Sequence, residues 1–236
     1  MKRHNIDAVC FDMYSTLVHE ASDNPFYRLV ADELGYDFEV WFAAYRRRGR
    51  DSMIGHVDGM PTRVRLAGLD IGANRPADVV SVSVNRHFPA FVASITLDPE
   101  AVRTLIELRA RDLLLALVSN ASTYSESILD NLELRFLFHT VVFSYRIGRM
   151  KPDPKIYLYA ANALAVPATA CAFVGDGGDR ELSGARSVGM RTILVERDLP
   201  HTASARAEAD IVVKRLTNVA SAISRLENVA PMPLES

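Results

Sequence analysis

The sequence predicts an α/β fold with a doubly wound, mainly parallel Rossmann-like sheet and an inserted α-helical cap domain. Three observations predict this class of fold. Short apolar runs rich in β-branched residues recur along the chain and are typical of buried strands. Segments with helical spacing separate the later runs, and this alternation implies parallel pairing. A long helical stretch interrupts the alternation after the first run, which indicates an insertion.

Six apolar runs are interpreted as the strands of the sheet. They are Ile6–Phe11, Leu113–Val118, Val141–Phe143, Cys171–Val174, Thr192–Val195 and Ile211–Val213. Because they are almost continuously apolar, we expect helices to cover both faces of the sheet. Three segments between or after these runs place apolar residues on one helical face: Ala101, Leu105 and Leu108; Ile156, Tyr159, Ala160 and Ala163; Leu216, Val219, Ile223 and Leu226.

The stretch from about His19 to Ile95 is predicted to be helical throughout. One segment ends at Gly35, which suits a helix C-terminus, and another runs from Ala77 to Phe91 after Pro76. We therefore expect a core domain formed by residues 1–18 and 96–236 and a helical cap domain formed by residues 19–95. Since ligands of open α/β sheets bind beyond the carboxyl ends of the strands, the insert is expected to lie over that crevice as a lid.

Composition excludes several classes of function. Of 236 residues 49% are hydrophobic, and a formal net charge of −2 lacks the basic excess expected of a nucleic-acid partner. The longest purely apolar run, Leu113–Val118, is far shorter than the ~20 residues of a membrane span. Asp7 and Asp12 interrupt the first apolar stretch, unlike a secretory signal. Cys10 and Cys171 are interpreted as reduced core thiols, so we expect a cytoplasmic protein.

Polar residues follow four of the predicted strands. The first strand runs into Asp12–Thr16, the second ends at Ser119 and Asn120, the loop after the third contains Lys151–Pro154, and the fourth ends in Gly175–Glu181. Singly, such residues are commonly helix caps or turn residues. Their joint occurrence indicates one site, because parallel strands bring their carboxyl ends to the same edge of a sheet.

The acidic residues of this edge predict a metal. Two carboxylates ~4 Å apart repel by ~4 kcal/mol at an effective dielectric near 20. If Asp12, Asp176 and Glu181 meet, the cluster must take up protons or bind a cation. Oxygen ligands without histidine or cysteine favour Mg²⁺ over zinc.

The chain resembles the haloacid dehalogenase (HAD) superfamily, in the branch with a helical cap inserted after the first motif. The matching segments are Phe11–Leu17, Ser119–Asn120, Lys151–Tyr157 and Val174–Glu181, followed by Gly184–Arg186 and Gly189–Met190. The resemblance covers nearly the whole chain. It implies the fold strongly and the substrate only weakly.

The resemblance implies a role for each residue that matches the motifs. Asp12 is expected to attack as a covalent nucleophile, Ser119 to hydrogen-bond the transferring group, and Lys151 to neutralise its charge while orienting Asp12. The expected substrate-binding residues are Thr16, Asn120 and Arg46, the last taken from an arginine-rich stretch of the insert.

The same resemblance implies the ligands of Mg²⁺. Asp12 and Asp176 are expected to bind the ion directly, and Glu181 or Asp179 to supply a further ligand. The backbone carbonyl of Tyr14 is expected to complete the site.

Position 14 departs from the phosphatases of the superfamily, which place a second Asp there as general acid and base. Tyr14 can donate a proton to an alkoxide but is a weak base near neutral pH. The dehalogenase branch has Tyr there and works without a metal. Asp176, Asp179 and Glu181 favour a metal instead, because an uncompensated acidic cluster would repel an anionic substrate.

The sequence therefore predicts an Mg²⁺-dependent phosphomonoester hydrolase that acts on a small organic phosphate, such as a sugar or nucleoside phosphate, through an aspartyl-phosphate at Asp12. Two alternatives stay open: a metal-independent L-2-haloacid dehalogenase and a non-catalytic binding module of the same fold. Whether the protein is a monomer or a homodimer also stays open.

Overall fold

The computed structural model describes residues 6–228, which contain eight strands and twelve α-helices. The strands are β1 (Ala8–Phe11), β2 (Val18–Glu20), β3 (Ile95–Leu97), β4 (Leu114–Ser119), β5 (Thr140–Phe143), β6 (Cys171–Gly175), β7 (Arg191–Val195) and β8 (Ile211–Val213). Six of them form a sheet in the order β5-β4-β1-β6-β7-β8, and every neighbouring pair is parallel. The α/β fold class predicted from the sequence is confirmed.

The helices cover both faces of this sheet and form the insert. They are α1 (Pro25–Leu34), α2 (Phe38–Arg47), α3 (Gly49–Met53), α4 (Gly59–Asp70), α5 (Ala77–Ala93), α6 (Ala101–Arg109), α7 (Tyr124–Asn131), α8 (Ser144–Ile147), α9 (Pro154–Ala163), α10 (Glu181–Ser187), α11 (Thr202–Glu208) and α12 (Val219–Leu226). No helix within residues 6–228 is both long enough and apolar enough to cross a membrane.

The six predicted strands lie within two residues of their observed bounds. Sequence patterns did not reveal β2 and β3, which pair antiparallel with Val18 opposite Leu97. Each is three residues long, too short for an apolar period to stand out. This two-stranded ribbon carries the chain from the sheet into the insert and back.

The insert consists of α1 to α5. Its first helix begins where the Asn24 side chain accepts a hydrogen bond from the Phe26 amide at 3.1 Å, and it ends at Gly35, whose φ of 67° is left-handed. The predicted division into a core (1–18 and 96–236) and a cap (19–95) stays a prediction. Its boundaries coincide with the ribbon.

Two buried clusters enclose the sheet. Side chains alternate along β1, so that Val9 and Phe11 pack in one cluster and Ala8 and Cys10 in the other. The cluster that contains Phe11 continues without interruption into the insert. Cys10 and Cys171 are both buried and free, as predicted. The carboxyl-terminal segment 231–236, which the sequence predicts to be frayed, lies outside the described residues.

The centre of the sheet fixes where a ligand binds. From β1 the chain proceeds to β4 on one side of the sheet and later to β6 on the other, so the strand order reverses at β1. Ligands of such sheets bind at this reversal, beyond the carboxyl ends of the strands. Asp12 follows the last residue of β1 at that point.

Candidate active site

Asp12 is held in place by the two segments on either side of it. Its amide donates to the Val174 carbonyl on β6 at 2.9 Å, and the Thr16 hydroxyl donates to its Oδ2 at 3.1 Å. Ser15, between them, has a φ of 58°, the left-handed region in which glycine is most at ease. A tight turn therefore brings Thr16 back to the carboxylate. This contact fixes the orientation of Asp12, whereas the predicted role of Thr16 in substrate binding stays a prediction.

Lys151 is the centre of the charged cluster. Its ammonium donates to Asp12 Oδ1 and to Glu181 Oε2, the second at 2.6 Å, and only 3% of its side chain is exposed. Burial by itself lowers the pKa of Lys151, but the charges of Asp12 and Glu181 outweigh it and raise that pKa above its ordinary value. Lys151 is therefore a cation beside the Asp12 carboxylate, whereas its predicted role in neutralising a transferring group stays a prediction.

The loop after β6 positions the other two acids. Glu181 Oε1 accepts the Gly177 amide at 3.0 Å and lies where a Cβ on Gly175 would overlap it, so that strand end accommodates only glycine. Asp176 Oδ1 accepts the Gly178 amide at 3.1 Å. Backbone donors and the close approach at Gly175 thus direct both acids towards Asp12.

Three buried carboxylates meet at this edge of the sheet. Asp12, Asp176 and Glu181 each place an oxygen within 4.8 Å of the others, as the sequence predicts. Burial raises the pKa of Asp12, which Lys151 lowers and Asp176 raises again. Burial likewise raises the pKa of Glu181 well above its usual range, against the opposing charge of Lys151. One lysine does not balance three carboxylates, and their oxygen atoms are the ligands that Mg²⁺ prefers. These residues therefore fit a divalent cation.

Two predicted site residues, Asn120 and Asp179, are hydrogen-bonded to each other and lie outside the cluster of three carboxylates. The Asn120 side chain donates to Asp179 Oδ2 at 2.9 Å and accepts a hydrogen bond from the Lys151 backbone amide at 2.7 Å. Asn120 therefore stabilises the loop that contains Lys151. Asp179 is thus outside the group of three carboxylates. Ser119 is fully buried, and its hydroxyl has no hydrogen-bond partner among the described residues. The predicted contact between Ser119 and a transferring group stays a prediction.

Tyr14 contacts α7. Its hydroxyl shares a hydrogen bond of 3.0 Å with the Ser125 hydroxyl. Burial raises the pKa of Tyr14 well above its ordinary value, and the neighbouring Tyr124, Glu20 and Asp12 add to this effect. The phenol is therefore a weaker acid than an exposed tyrosine, and its predicted role as a proton donor stays a prediction.

A cavity of about 350 Å³ lies over these groups. Its lining contains Asp12, Tyr14, Ser15, Glu20, Met53, Asn120, Ala121, Tyr124, Ser125, Lys151, Asp176, Gly178, Asp179, Glu181 and His201. Sequence motifs did not point to Glu20 or His201. His201 Nε2 lies 3.1 Å from Asp176 Oδ2. Histidine is a frequent partner of carboxylates, but neither position belongs to a motif that distinguishes it from an ordinary surface residue.

A second cavity of about 390 Å³ adjoins the first. It is lined by Glu20, Ala21, Ser22, Asn24, Tyr27, Phe42, Tyr45, Arg46, Met53, Arg63 and Tyr124. Glu20, Met53 and Tyr124 line both cavities. We call the first the catalytic cavity and the second the insert cavity. Arg46 lies in the insert cavity and not beside Asp12, and its predicted contact with substrate stays a prediction.

Comparisons with known proteins agree with this arrangement. A family model described as haloacid dehalogenase-like hydrolase matches residues 6–189. A glyceraldehyde 3-phosphate phosphatase of Methanopyrus kandleri is 27% identical over 87% of this chain and 91% of its own. A phosphoserine phosphatase of Thermus thermophilus is 29% identical over 74% of this chain and 70% of its own.

Solved structures share the fold. A HAD phosphatase from Thermococcus onnurineus superposes with a TM-score of 0.68 at 21% identity, over 92% of this chain and 97% of that one. A 2-haloacid dehalogenase from Pseudomonas syringae gives a TM-score of 0.67 at 21% identity, over 93% and 99%. The chain belongs to the haloacid dehalogenase-like hydrolase family. It is an enzyme, a hydrolase, and the non-catalytic alternative is set aside.

Proposed function

We propose that this hydrolase is an Mg²⁺-dependent phosphatase of small organic phosphomonoesters, acting through an aspartyl-phosphate at Asp12. The observation that carries the proposal is the meeting of three buried carboxylates around one lysine. Such a group repels a metal-free anionic substrate, whereas with a divalent cation it becomes a site for phosphate. The phosphatase names of the two relatives support the same reaction.

Asp12 forms and breaks the covalent bond. In the first half of the reaction one of its carboxylate oxygens attacks phosphorus, the bond from phosphorus to the ester oxygen breaks, and the departing oxygen takes up a proton. In the second half water attacks phosphorus, loses a proton, and the bond to Asp12 breaks to give orthophosphate. The hydrogen bonds from Thr16 and Lys151 keep both oxygens of Asp12 oriented for the first attack.

Lys151 and the three carboxylates have different electrostatic roles. The ammonium of Lys151 stabilises the charge that spreads over the transferring phosphoryl group. Asp12, Asp176 and Glu181 are the side chains that hold the cation, with the Tyr14 carbonyl and Asp179 as further candidates. When bound, Mg²⁺ supplies positive charge that neutralises phosphate oxygens.

The size of the substrate follows from the two cavities. Each has a volume of about 350 to 390 Å³, within the range of small-molecule sites. Phosphate takes the catalytic cavity beside Asp12, and the organic group takes the insert cavity. The aromatic rings of Tyr27, Phe42 and Tyr45 and the charge of Arg46 suit a compact organic group such as a sugar or nucleoside.

A second candidate, the L-2-haloacid dehalogenase, is favoured by Tyr14. A departing halide requires no proton, so a tyrosine in place of an acid–base Asp does not slow dehalogenation. Asp12 would then displace halide from carbon, and water would release the hydroxy acid. The carboxylate cluster argues against this reaction, because it would repel the carboxylate of the substrate.

One paired assay decides between the two reactions. The purified protein is incubated with p-nitrophenyl phosphate and with 2-chloropropionate, each with Mg²⁺ and with EDTA, and Asp12→Asn serves as the blank. We expect phosphate release that EDTA abolishes and no halide release. Halide release that is indifferent to EDTA would overturn the proposal.

A further inference from the structure

The proposed reaction lacks an evident acid–base group. The departing ester oxygen needs a proton and the attacking water must lose one. Tyr14 occupies the position from which an Asp serves in related phosphatases, but its hydroxyl shares a hydrogen bond of 3.0 Å with the Ser125 hydroxyl of α7. A phenol is also a weak base near neutral pH, so another side chain is needed to take the proton from the attacking water.

The positions of the two cavities indicate where the bond between phosphorus and the ester oxygen would lie. Phosphorus lies beside Asp12 in the catalytic cavity, and the organic group occupies the insert cavity, so the ester oxygen passes between them. Three described residues line both cavities: Glu20, Met53 and Tyr124. Of these side chains, a thioether exchanges no proton and a phenol is a weak acid and a weaker base at neutral pH. A carboxyl group can do both.

The other carboxylates of the catalytic cavity are already engaged. Asp12 and Glu181 accept hydrogen bonds from Lys151, Asp176 contacts His201, and Asp179 accepts the Asn120 amide. These four also lie at or beside the cation site. Glu20 lies outside this cluster, on the side of the insert.

Hydrogen bonds from described residues reach only one of the two carboxyl oxygens of Glu20. Its Oε1 accepts hydrogen bonds from Asn24 Nδ2 at 2.9 Å and from the Tyr27 hydroxyl at 3.1 Å. No hydrogen bond reaches its Oε2 from any described residue. Asn24 is the N-cap residue of α1, the first helix of the insert, and Tyr27 lies within that helix. This helix therefore orients the Glu20 carboxyl group and leaves its Oε2 for a reacting group.

The Glu20 side chain is exposed, and several charged and titratable groups lie near it. Tyr14 approaches from the loop after β1, and Tyr124 from α7. Across the insert cavity lie Tyr45 and Arg46 of α2 and Arg63 of α4. Arg63 is buried, and two of its nitrogens donate to the Tyr45 carbonyl at 2.9 and 3.1 Å.

We infer that the Glu20 carboxyl is the catalytic acid and base of this enzyme, in place of the Asp absent at position 14. The inference rests on the proposed phosphatase function. In the first half of the reaction the ester oxygen–phosphorus bond breaks, the Asp12 oxygen–phosphorus bond forms, and the proton of the Glu20 carboxyl passes to the departing oxygen. In the second half the water oxygen bonds to phosphorus, the bond to Asp12 breaks, and a proton of that water returns to Glu20.

Two aryl phosphates that differ only by a para nitro group separate proton donation from other roles of Glu20. Phenyl phosphate releases a basic phenolate that needs a proton, whereas p-nitrophenyl phosphate releases a stable anion. The quantity compared is kcat/KM with Mg²⁺, which reports the steps up to the first irreversible one. The variant is Glu20→Gln, which retains an acceptor for Asn24 and Tyr27, and the matched control is Glu39→Gln, an exposed acid of α2.

In Glu20→Gln we expect kcat/KM for phenyl phosphate to fall about tenfold or more, and kcat/KM for p-nitrophenyl phosphate to change by less than about threefold. Glu39→Gln is expected to change neither, and Glu20→Asp to recover part of the activity towards phenyl phosphate. An equal loss with both probes, or no loss with either, would overturn the inference. If the wild-type enzyme hydrolyses neither probe, the proposed function itself fails.

Discussion

The two adjoining cavities differ in how their polar groups are paired. In the catalytic cavity Lys151 binds two carboxylates, and Asp176 accepts a backbone amide. In the insert cavity the buried Tyr45 hydroxyl has no hydrogen-bond partner among residues 6–228, and Arg46 is exposed. In the proposed function, the first cavity is preorganised for the phosphate, which every substrate has in common. Of these two groups in the second cavity, the exposed Arg46 is accessible to a ligand.

This difference follows from the elements that build each cavity. The catalytic cavity is built on the ends of parallel strands, whose backbones are fixed by their neighbours on both sides. The insert cavity is lined by helices and a short ribbon. We therefore expect substitutions in the catalytic cavity to affect rate and stability strongly, and substitutions in the insert cavity to affect mainly the choice of substrate.

The largest expected effect is that of Asp12→Asn. The variant keeps the volume of the side chain and its contact with Thr16 but removes the nucleophile. We expect kcat for p-nitrophenyl phosphate to fall about a thousandfold or more, with an unchanged circular dichroism spectrum. If a tenth of the activity remained, the covalent mechanism would be wrong.

Lys151→Met is expected to affect both rate and stability. It keeps the aliphatic stem but leaves the buried carboxylates of Asp12 and Glu181 without their cation. We expect the free energy of unfolding in EDTA to fall by about 3 to 5 kcal/mol, measured by urea denaturation, and kcat to fall about a hundredfold. The exposed Lys155→Met is the control. Equal stability of the two variants would contradict the central position of Lys151.

Removal of the metal is expected to lower stability in a pH-dependent way. Because the pKa values of Asp12 and Glu181 are raised in the folded state, that state binds protons which the unfolded state releases above about pH 4. The stability of the metal-free protein therefore falls as pH rises from that range. Mg²⁺ competes with these protons, so its stabilising effect grows with pH.

The measurement is Tm with saturating Mg²⁺ and with EDTA, at several pH values between 5 and 8. We expect a difference of about 5 °C at the upper end and a smaller one at the lower end. Asp176→Asn, which removes one ligand, is expected to abolish the difference. A difference that is the same at every pH would refute the linkage to these carboxyls.

The smallest effect is expected in the insert cavity. Arg46→Gln removes a charge that lines the insert cavity, whereas Arg47→Gln removes the neighbouring charge, which does not line it. For an ester that carries a second anionic group, we expect KM to rise severalfold in the first variant only, with kcat unchanged. A fall in kcat equal to that in a nucleophile variant would place Arg46 in the chemistry itself.

The catalytic cavity was largely predictable from the sequence, whereas the insert cavity was not. Asp12, Lys151, Asp176 and Glu181 follow apolar runs that read as parallel strands, and topology alone gathers such residues at one edge. Glu20 belongs to a ribbon of three-residue strands, and the direction of its side chain depends on α1. No local pattern encodes that placement. Arg46 could be assigned to the insert, but not to the cavity that it lines.

The most direct test of the account is to trap the covalent enzyme. p-Nitrophenyl phosphate with a radiolabelled phosphoryl group is mixed with the enzyme and Mg²⁺, quenched in acid within one turnover, and the labelled peptide is identified. The account predicts label on the peptide that contains Asp12, with none in EDTA or in Asp12→Asn. Turnover with no label on the protein, or with label on another residue, would contradict it.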